Sequence, residues 1–81
     1  MTIEPFTSQA RLELYGRAAG LTRREQELLH QLASGASTRQ IARGMQLSPH
    51  TVQDHLKSAF AKTNTSSRSN LLARALGTEA G

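Results

Sequence analysis

Four polar side chains within residues 48–57, SPHTVQDHLK, have the chemistry needed to read the edges of DNA bases. Glutamine, here Gln53, can pair with adenine through two hydrogen bonds, and a lysine such as Lys57 can donate to the acceptors of guanine. A carboxylate, here Asp54, can accept a hydrogen bond from the exocyclic amine of cytosine. His50 precedes them and offers a further donor or acceptor. If one helix face carries all four, that face can distinguish base pairs.

The spacing of apolar residues predicts a helix from Pro49 to about Lys62. Ser48 is a candidate N-cap, and proline is favoured at the first helical position because an N–H there has no helical partner. Apolar side chains then recur with the helical period: Val52, Leu56, Ala59 and Phe60. At about 100° per residue, the opposite side carries His50, Gln53, Asp54, Lys57 and Ala61. His55 falls nearer the apolar side. A solvated polar side is also the ordinary arrangement of a surface helix.

Two predicted helices precede this one, and each begins with a capping box. Thr22 is followed three residues later by Glu25, and Ser37 by Gln40, a spacing at which side chains and backbone N–H groups satisfy one another. The first helix, from 23 to about 34, has a stripe of apolar residues: Leu28, Leu29, Leu32 and Ala33. The second helix is short and has a stripe of three: Ile41, Ala42 and Met45. A sharp turn separates the second helix from the Ser-Pro start.

Shorter patterns flank this region on both sides. At the N-terminal side, TSQARLELYGRAAG predicts a linker or a short leading helix stopped at Gly20, with a stripe of Leu12, Tyr15 and Ala19. At the C-terminal side, RSNLLARAL predicts a final helix capped by Ser66 or Ser67 and closed by Gly77. No strand pattern occurs. The predicted fold is all-α: a four-helix helix-turn-helix domain with an extra N-terminal segment or short helix.

A helix-turn-helix is typically a DNA reader, and the sequence from Leu21 to Leu76 closely resembles one family that uses it. The resemblance is to the C-terminal DNA-binding domain of LuxR/FixJ-type bacterial transcription regulators. The elements that carry it are Leu21-Thr22 with Arg24-Glu25, Gly35 and Ser37, Ile41-Ala42, Ser48, Thr51-Val52, His55, Lys62 and Ser67-Arg68. Their joint order and spacing are highly specific. The domain is therefore predicted over 21–77, after a segment 1–20 and before a tail 78–81.

The resemblance implies that the helix from Pro49 enters the major groove and that the last helix mediates dimerisation on paired half-sites. The base-facing positions of such helices correspond to Gln53, Asp54 and Lys57, while Thr51 and the turn approach phosphates. This chain departs from the family at several positions. Members commonly have a lysine where it has Gln53 and a small or apolar residue where it has Asp54. Leucine and valine are replaced by Thr63 and Thr65.

Other basic and hydroxyl side chains are candidates for phosphate contacts, which set the register of a protein on DNA without reading sequence. The candidates are Ser48, Thr51, Arg39, Arg43 and Lys62. Exposed arginines that contact nothing are common, so each assignment has that alternative. Asp54 likewise has a local alternative, an ion pair with Lys57 or with a charged His50.

The last helix carries more apolar surface than one core contact requires. Four residues cover an arc of about 140°, and Ala73 widens it to about 200°. The four are Leu71, Leu72, Ala75 and Leu76. We predict that they form a homodimer interface, with burial against the rest of the domain as the alternative.

The composition excludes several other classes. The net charge is +4, and residues 37–62 supply most of it because they hold four basic side chains against one acid. There are no cysteines and no apolar run of membrane-spanning length, and the N-terminus lacks a signal-peptide pattern, so a cytoplasmic protein is expected. His50 and His55 lie about 140° apart on their helix and His30 is on another, which excludes a histidine metal site. No catalytic motif or cofactor site appears, which argues against an enzyme.

Three functions remain open at this stage. The leading one is regulation of transcription by a homodimer bound to double-stranded DNA, with RNA polymerase as a further candidate partner. A sigma-factor-like promoter reader shares the motif but lacks the capped apolar helix at the end. A protein-interaction adaptor is the third, because residues 49–62 carry a net charge of only +1. A salt titration distinguishes the adaptor from the two DNA-binding functions, since DNA binding weakens steeply as ionic strength rises.

Overall fold

The computed structural model describes residues 8–77, and all the regular structure in that range is helical. The helices are α1 (Ser8–Ala19), α2 (Arg23–Ala33), α3 (Thr38–Met45), α4 (Pro49–Thr63) and α5 (Arg68–Leu76). The predicted all-α fold is confirmed, and the predicted bounds of α2, α4 and α5 lie within one residue of the observed ones. The first seven residues of the predicted N-terminal segment and the predicted tail, 78–81, lie outside the described residues.

Side-chain caps determine where the helices of the central region begin. Thr22 Oγ1 accepts a hydrogen bond from Glu25 N at 3.2 Å, and Glu25 Oε1 accepts one from Thr22 N at 2.8 Å. Ser37 and Gln40 repeat this pattern at 3.2 and 2.8 Å. Both predicted capping boxes are therefore confirmed. Single serine caps begin the last two helices: Ser48 for α4, and Ser67 rather than Ser66 for α5.

A small apolar core surrounds α2, which packs against the other four helices. The buried apolar residues are Leu12, Leu28, Leu29, Leu32, Ile41, Ala42, Met45, Val52, Leu56, Ala59, Leu71 and Ala75. The prediction is wrong for one residue of the apolar stripes: Ala33, at the end of α2, is exposed. Every helix contributes at least one side chain to this core, so none of the five is a free appendage.

Thr63 and Thr65, at the end of α4 where the resemblance implies apolar residues, have hydrogen-bond partners for their hydroxyls. Thr63 is buried, and its hydroxyl donates to the carbonyl oxygen of Ala59 at 2.8 Å. The Thr65 hydroxyl lies 2.8 Å from the Thr63 hydroxyl and can donate to it. A buried hydroxyl without a partner would cost about 1 to 3 kcal/mol. The substitution of leucine and valine by threonine therefore adds no unpaired polar group at this turn.

The N-terminal helix α1 is docked against α2 and α5. Leu12 is only 2% exposed, and Gln26 of α2 donates to its carbonyl oxygen at 3.0 Å. Gly16 is buried at the point of closest approach, where an added Cβ would overlap the Gln26 amide. At the other contact, Arg11 Nη1 donates to the carbonyl oxygen of Leu76 at 2.9 Å. Of the two predicted forms of this segment, linker or leading helix, residues 8–19 take the second.

The turn between α3 and α4 depends on a residue in the left-handed region. Gln46 has φ 58° and ψ 44°, and the N–H of Leu47 donates to the carbonyl oxygen of Ala42 at 2.8 Å, which closes the end of α3. Non-glycine residues adopt this conformation at a cost because Cβ crowds the backbone. The turn formed in this way leads from the end of α3 directly to Ser48, the N-cap of α4.

We expect Gln46→Gly to raise the free energy of unfolding by about 0.5 to 1 kcal/mol, since glycine adopts positive φ without strain but loses more chain entropy on folding. Urea denaturation of both proteins measures the change. Asn64→Gly is the matched control at the end of α4, where φ is 56°. Asparagine tolerates this region better than glutamine does, so its replacement should gain less. Equal gains at the two positions would contradict the explanation.

Candidate nucleic-acid interface

The apolar side of α4 is fixed against the core, and this determines which side is left exposed. Val52, Leu56 and Ala59 are 0%, 4% and 1% exposed, and Phe60 packs against the edge of the same cluster. The predicted stripe on this helix is confirmed. His55 is half-buried, as expected for a residue at the boundary. With this side occupied by α2 and α3, the opposite side of α4 is free to contact a partner.

All four candidate base-reading side chains lie on that free side. His50, Gln53, Asp54 and Lys57 are each exposed. Asp54 Oδ2 is 3.9 Å from His50 Nε2, so of the two local partners considered for this acid it is the histidine that lies within ion-pairing distance. The side chains of this pair are 88% and 61% exposed. An exposed pair at this spacing contributes only about 0.2 to 0.5 kcal/mol, so DNA can compete for either side chain.

Two of the candidate phosphate ligands contact each other at the start of α4. Ser48 Oγ accepts a hydrogen bond from Thr51 N at 3.1 Å and lies 3.0 Å from Thr51 Oγ1. Ser48 is exposed and Thr51 is half-buried. Pro49 has no N–H and that of Thr51 is bonded to Ser48, so the feature of this first turn that favours anions is mainly the positive end of the helix dipole. The start of α4 therefore brings two hydroxyls and the positive end of a helix to one point.

Arg39 and Arg43 lie on α3, the helix that precedes α4 and packs against it. Both are exposed, and their spacing of four residues places them on one side of that helix. A guanidinium can bind a phosphate through two parallel hydrogen bonds. The contact of this pair with phosphates remains a prediction.

Lys62 is held by a cross-helix ion pair that the sequence did not indicate. Its Nζ lies 2.7 Å from Glu25 Oε1, the same oxygen that accepts the Thr22 backbone hydrogen bond. The Glu25 side chain is 4% exposed and that of Lys62 is 34% exposed. This contact joins the start of α2 to the end of α4 and gives Lys62 a structural role. Its assignment as a phosphate ligand stays a prediction.

The environment of Glu25 strongly favours its charged form. Burial on its own raises the pKa of this carboxyl, but hydrogen bonds from the Lys62 and Ser58 side chains lower it more. The Thr22 backbone N–H and the positive charge of Lys62 lower it further, so the pKa falls from 4.5 to about 2. Glu25 therefore stays ionised at any pH near neutrality and acts as a fixed anionic anchor.

The four candidate interface residues of α5 divide into two pairs. Leu71 and Ala75 are 0% and 5% exposed and belong to the core of their own chain. Leu72 and Leu76 are half-buried and pack at the edge of that core. The alternative left open for this helix, burial on its own domain, therefore applies to the first pair. Dimerisation itself stays a prediction, and only the second pair has surface left for it.

The described residues show neither a candidate metal centre nor a membrane-spanning element. Within residues 8–77 no three His, Cys, Asp or Glu side chains come together in a way that could bind a metal ion. No helix in this part of the chain is long and apolar enough to cross a membrane. The exposed side of α4, with its basic flank, is thus the feature of this region with the clearest chemistry.

The sequence also matches a known family. Residues 19–75 match the model for bacterial regulatory proteins of the luxR family. The chain belongs to this family. The predicted resemblance is therefore confirmed, and with it the assignment as a helix-turn-helix DNA-binding domain of the kind found in transcription regulators. No solved structure matches the chain significantly.

Individual relatives agree with the family assignment. The monoamine regulon transcriptional regulator of Klebsiella aerogenes is 41% identical over 54 residues, which cover 67% of this chain and 24% of that protein. The nitrate/nitrite response regulator protein NarP of Escherichia coli is 44% identical over 48 residues, covering 59% and 22%. The probable csgAB operon transcriptional regulatory protein of Salmonella typhimurium is 43% identical over 51 residues, covering 63% and 24%. The matches thus span about a quarter of each relative.

We expect Glu25→Gln to lower the free energy of unfolding at neutral pH. As the pH falls, the variant should lose less stability than the unmodified protein. The folded pKa of about 2 lies below the ordinary 4.5, so Glu25 stabilises the fold fully above pH 4.5 and this contribution disappears as the pH falls towards 2. The contribution is about 3 kcal/mol, the low end for breaking a buried pair, because water reaches Lys62. Urea unfolding of both proteins should therefore give curves that converge as the pH falls.

Lys62→Met is the complementary variant, since it leaves the carboxylate buried without its cation. We expect a larger loss at neutral pH, about 3 to 5 kcal/mol, because an unpaired buried charge is penalised. The loss should shrink in mild acid, where protonation removes the charge. If both variants lose the same free energy at every pH, the ion pair does not anchor α4.

Proposed function

We propose that this protein binds double-stranded DNA sequence-specifically through α4 in the major groove and regulates transcription as a homodimer. The observation that carries the proposal is the exposed polar side of α4, opposite a side that is fully committed to the core. The major groove admits one α-helix, and its base pairs present distinct patterns of donors and acceptors. The groove would receive the amide of Gln53, an acceptor from Asp54 and a donor from Lys57. His50, in the first turn of α4, would add a further contact.

Phosphate contacts would position α4 in the groove. The surroundings of α4 hold the highest density of positive charge, because residues 37–62 have a net charge of +3. Arg39 and Arg43 would contact the backbone from α3, and Ser48 and Thr51 from the start of α4. We assign Lys62 the weakest share of this role, since the contact would compete with Glu25 at 2.7 Å.

Asp54 gives the interface its selectivity. A carboxylate in the groove loses hydration and is repelled by phosphates unless a donor faces it. Cytosine's amine is one such donor, and His50 at 3.9 Å is another when it is protonated. Sites that leave the acid unpaired are penalised, and such penalties raise specificity without raising affinity.

The dimer would place two copies of α4 on half-sites about one helical turn apart, roughly 34 Å. The partly exposed side of α5, with Leu72 and Leu76, is the surface we assign to this contact. Leu71 and Ala75 would support it from within the core. The protein would act in the cytoplasm as a binding protein rather than an enzyme, with RNA polymerase as a further candidate partner.

An adaptor that binds another protein through α4 is the second candidate. It is favoured by the net charge of only +1 within residues 49–62 and by the contact between His50 and Asp54 at 3.9 Å. The experiment that decides is in vitro selection from random duplexes, followed by titration of the selected site over a range of salt concentrations. DNA binding predicts a selected consensus and an affinity that falls steeply with salt. No enrichment and no salt dependence would favour the adaptor.

We expect Lys57→Ala to weaken binding to the selected site by about 1 to 3 kcal/mol and to relax the preference at one guanine-containing pair, because a major-groove donor is lost. Titration of the selected site and of its single-base variants measures both effects. Arg39→Ala is the matched control, since loss of a phosphate contact weakens all sequences about equally. A uniform loss for Lys57→Ala as well would make Lys57 a phosphate ligand instead.

We expect Asp54→Ala to raise the affinity for random DNA while narrowing the ratio between the selected site and random sequence. The variant removes a charge that phosphates repel and a group that penalises wrong sites. Both duplexes are titrated at one salt concentration. Glu27→Ala, which removes an exposed acid from α2, controls for the change in net charge. An unchanged affinity ratio in Asp54→Ala would show that this acid is only solvated.

A further inference from the structure

The acid on the exposed side of α4 has a neighbour whose charge can change near neutral pH. His50 Nε2 lies 3.9 Å from Asp54 Oδ2, one helical turn along the chain, and both side chains are exposed. Histidine is the side chain whose charge ordinarily changes between about pH 5 and pH 8. The pair can therefore exist in two forms, one with a net negative charge and one in which the two charges cancel.

Asp54 is the only carboxylate within ion-pairing distance of His50 among residues 8–77. The basic side chains of α3 and α4 and the positive end of the α4 dipole oppose a charge on His50, whereas Asp54 favours it. Two other histidines, His30 and His55, are half-buried, and a test must separate their titration from that of His50. The further charged or titratable side chains of α4 and of the two helices packed against it are Lys57 and Lys62 on α4, Arg23, Arg24, Glu25 and Glu27 on α2, and Arg39 and Arg43 on α3.

The form of this pair determines what Asp54 requires from DNA. Beside an uncharged imidazole, the carboxylate needs the amine of cytosine, and a sequence without that amine leaves a dehydrated charge unpaired. A charged imidazole supplies the donor from within the protein. The attraction between the two side chains is stronger in the groove than in solvent, because less water separates them. Since Oδ2 faces His50, the second carboxylate oxygen stays available to cytosine, so the charged form admits additional sequences without rejecting the original one.

We propose that His50 controls the base selectivity of Asp54 through its own protonation. The uncharged form restricts α4 to sites with a cytosine facing Asp54, and the charged form accepts other bases there. The inference rests on the proposed DNA binding and names a further residue on which its specificity depends. His50 acts through Asp54 and is therefore a positioning residue. Selectivity at this base pair should fall with the pH, while affinity for DNA in general rises because phosphates attract the added positive charge.

The test compares a duplex selected in vitro at about pH 8 with its variant lacking the cytosine whose preference Asp54→Ala removes. Fluorescence anisotropy gives both dissociation constants at about pH 8 and about pH 5.5, at one salt concentration. Charges that act on all sequences alike, including those of His30 and His55, cancel in the ratio. We expect a ratio of about 10 at the higher pH and about 2 at the lower. Both conditions lie above the Glu25 pKa of about 2, so the ion pair with Lys62 stays intact.

Two substitutions at an exposed position fix the charge without touching the core. His50→Gln keeps a polar side chain with no charge, so its ratio should stay high at both pH values. His50→Lys carries a constant charge, so its ratio should stay low at both. His55→Gln is the matched control on the same helix and should keep the pH dependence of the unmodified protein. A pH dependence that survives His50→Gln would overturn the proposal.

The outcomes separate this inference from the proposed function. If the unmodified protein selects no duplex at either pH, both are overturned. If it selects a duplex but the ratio is the same at the two pH values, or if Asp54→Ala loses no cytosine preference, only the role of His50 is overturned and DNA binding by α4 stands.

Discussion

One buried carboxylate joins the helix α2 to the end of α4, the helix with the exposed polar side. Glu25 accepts the Thr22 N–H that begins α2 and, through the same oxygen, the ammonium group of Lys62 in the last turn of α4. Apolar burial fixes how closely helices approach but is not directional. A short hydrogen-bonded ion pair adds direction, because its geometry allows little rotation or sliding of α4 on α2. If α4 reads DNA as proposed, its polar side can do so only while the helix keeps its orientation.

The side chains that fix α4 in the domain are thus different from the side chains that α4 exposes. Its apolar stripe and Lys62 contact the chain itself, whereas His50, Gln53, Asp54 and Lys57 are exposed, and among them His50 lies within ion-pairing distance of Asp54. The second set can change without disturbing the first. An acid such as Asp54 is acceptable on this helix because its exposed side chain is not part of the core, and under the proposed function its effect would fall on the choice of DNA.

Local interactions made much of this fold predictable. Capping boxes, the Ser-Pro start of α4 and the helical period of the apolar residues involve positions three or four apart, so they can be read directly. The contact between Glu25 and Lys62 joins residues 37 positions apart, and that between Arg11 and Leu76 joins residues 65 apart. Neither leaves a local pattern. For the same reason the sequence predicted Leu71 and Ala75 as residues of a dimer interface, because an apolar arc does not show whether its own domain or a partner covers it.

The central claim is that the polar side of α4 is the surface that contacts DNA. The most direct measurement is a nuclear magnetic resonance titration of the labelled protein with an in vitro-selected duplex, following each backbone amide. The account predicts that the largest shifts cluster at the start and on the exposed side of α4 and on the Arg39 side of α3, with small shifts in the buried half of α2. Shifts confined to α1 and α5, with α4 unaffected at saturating DNA, would contradict it.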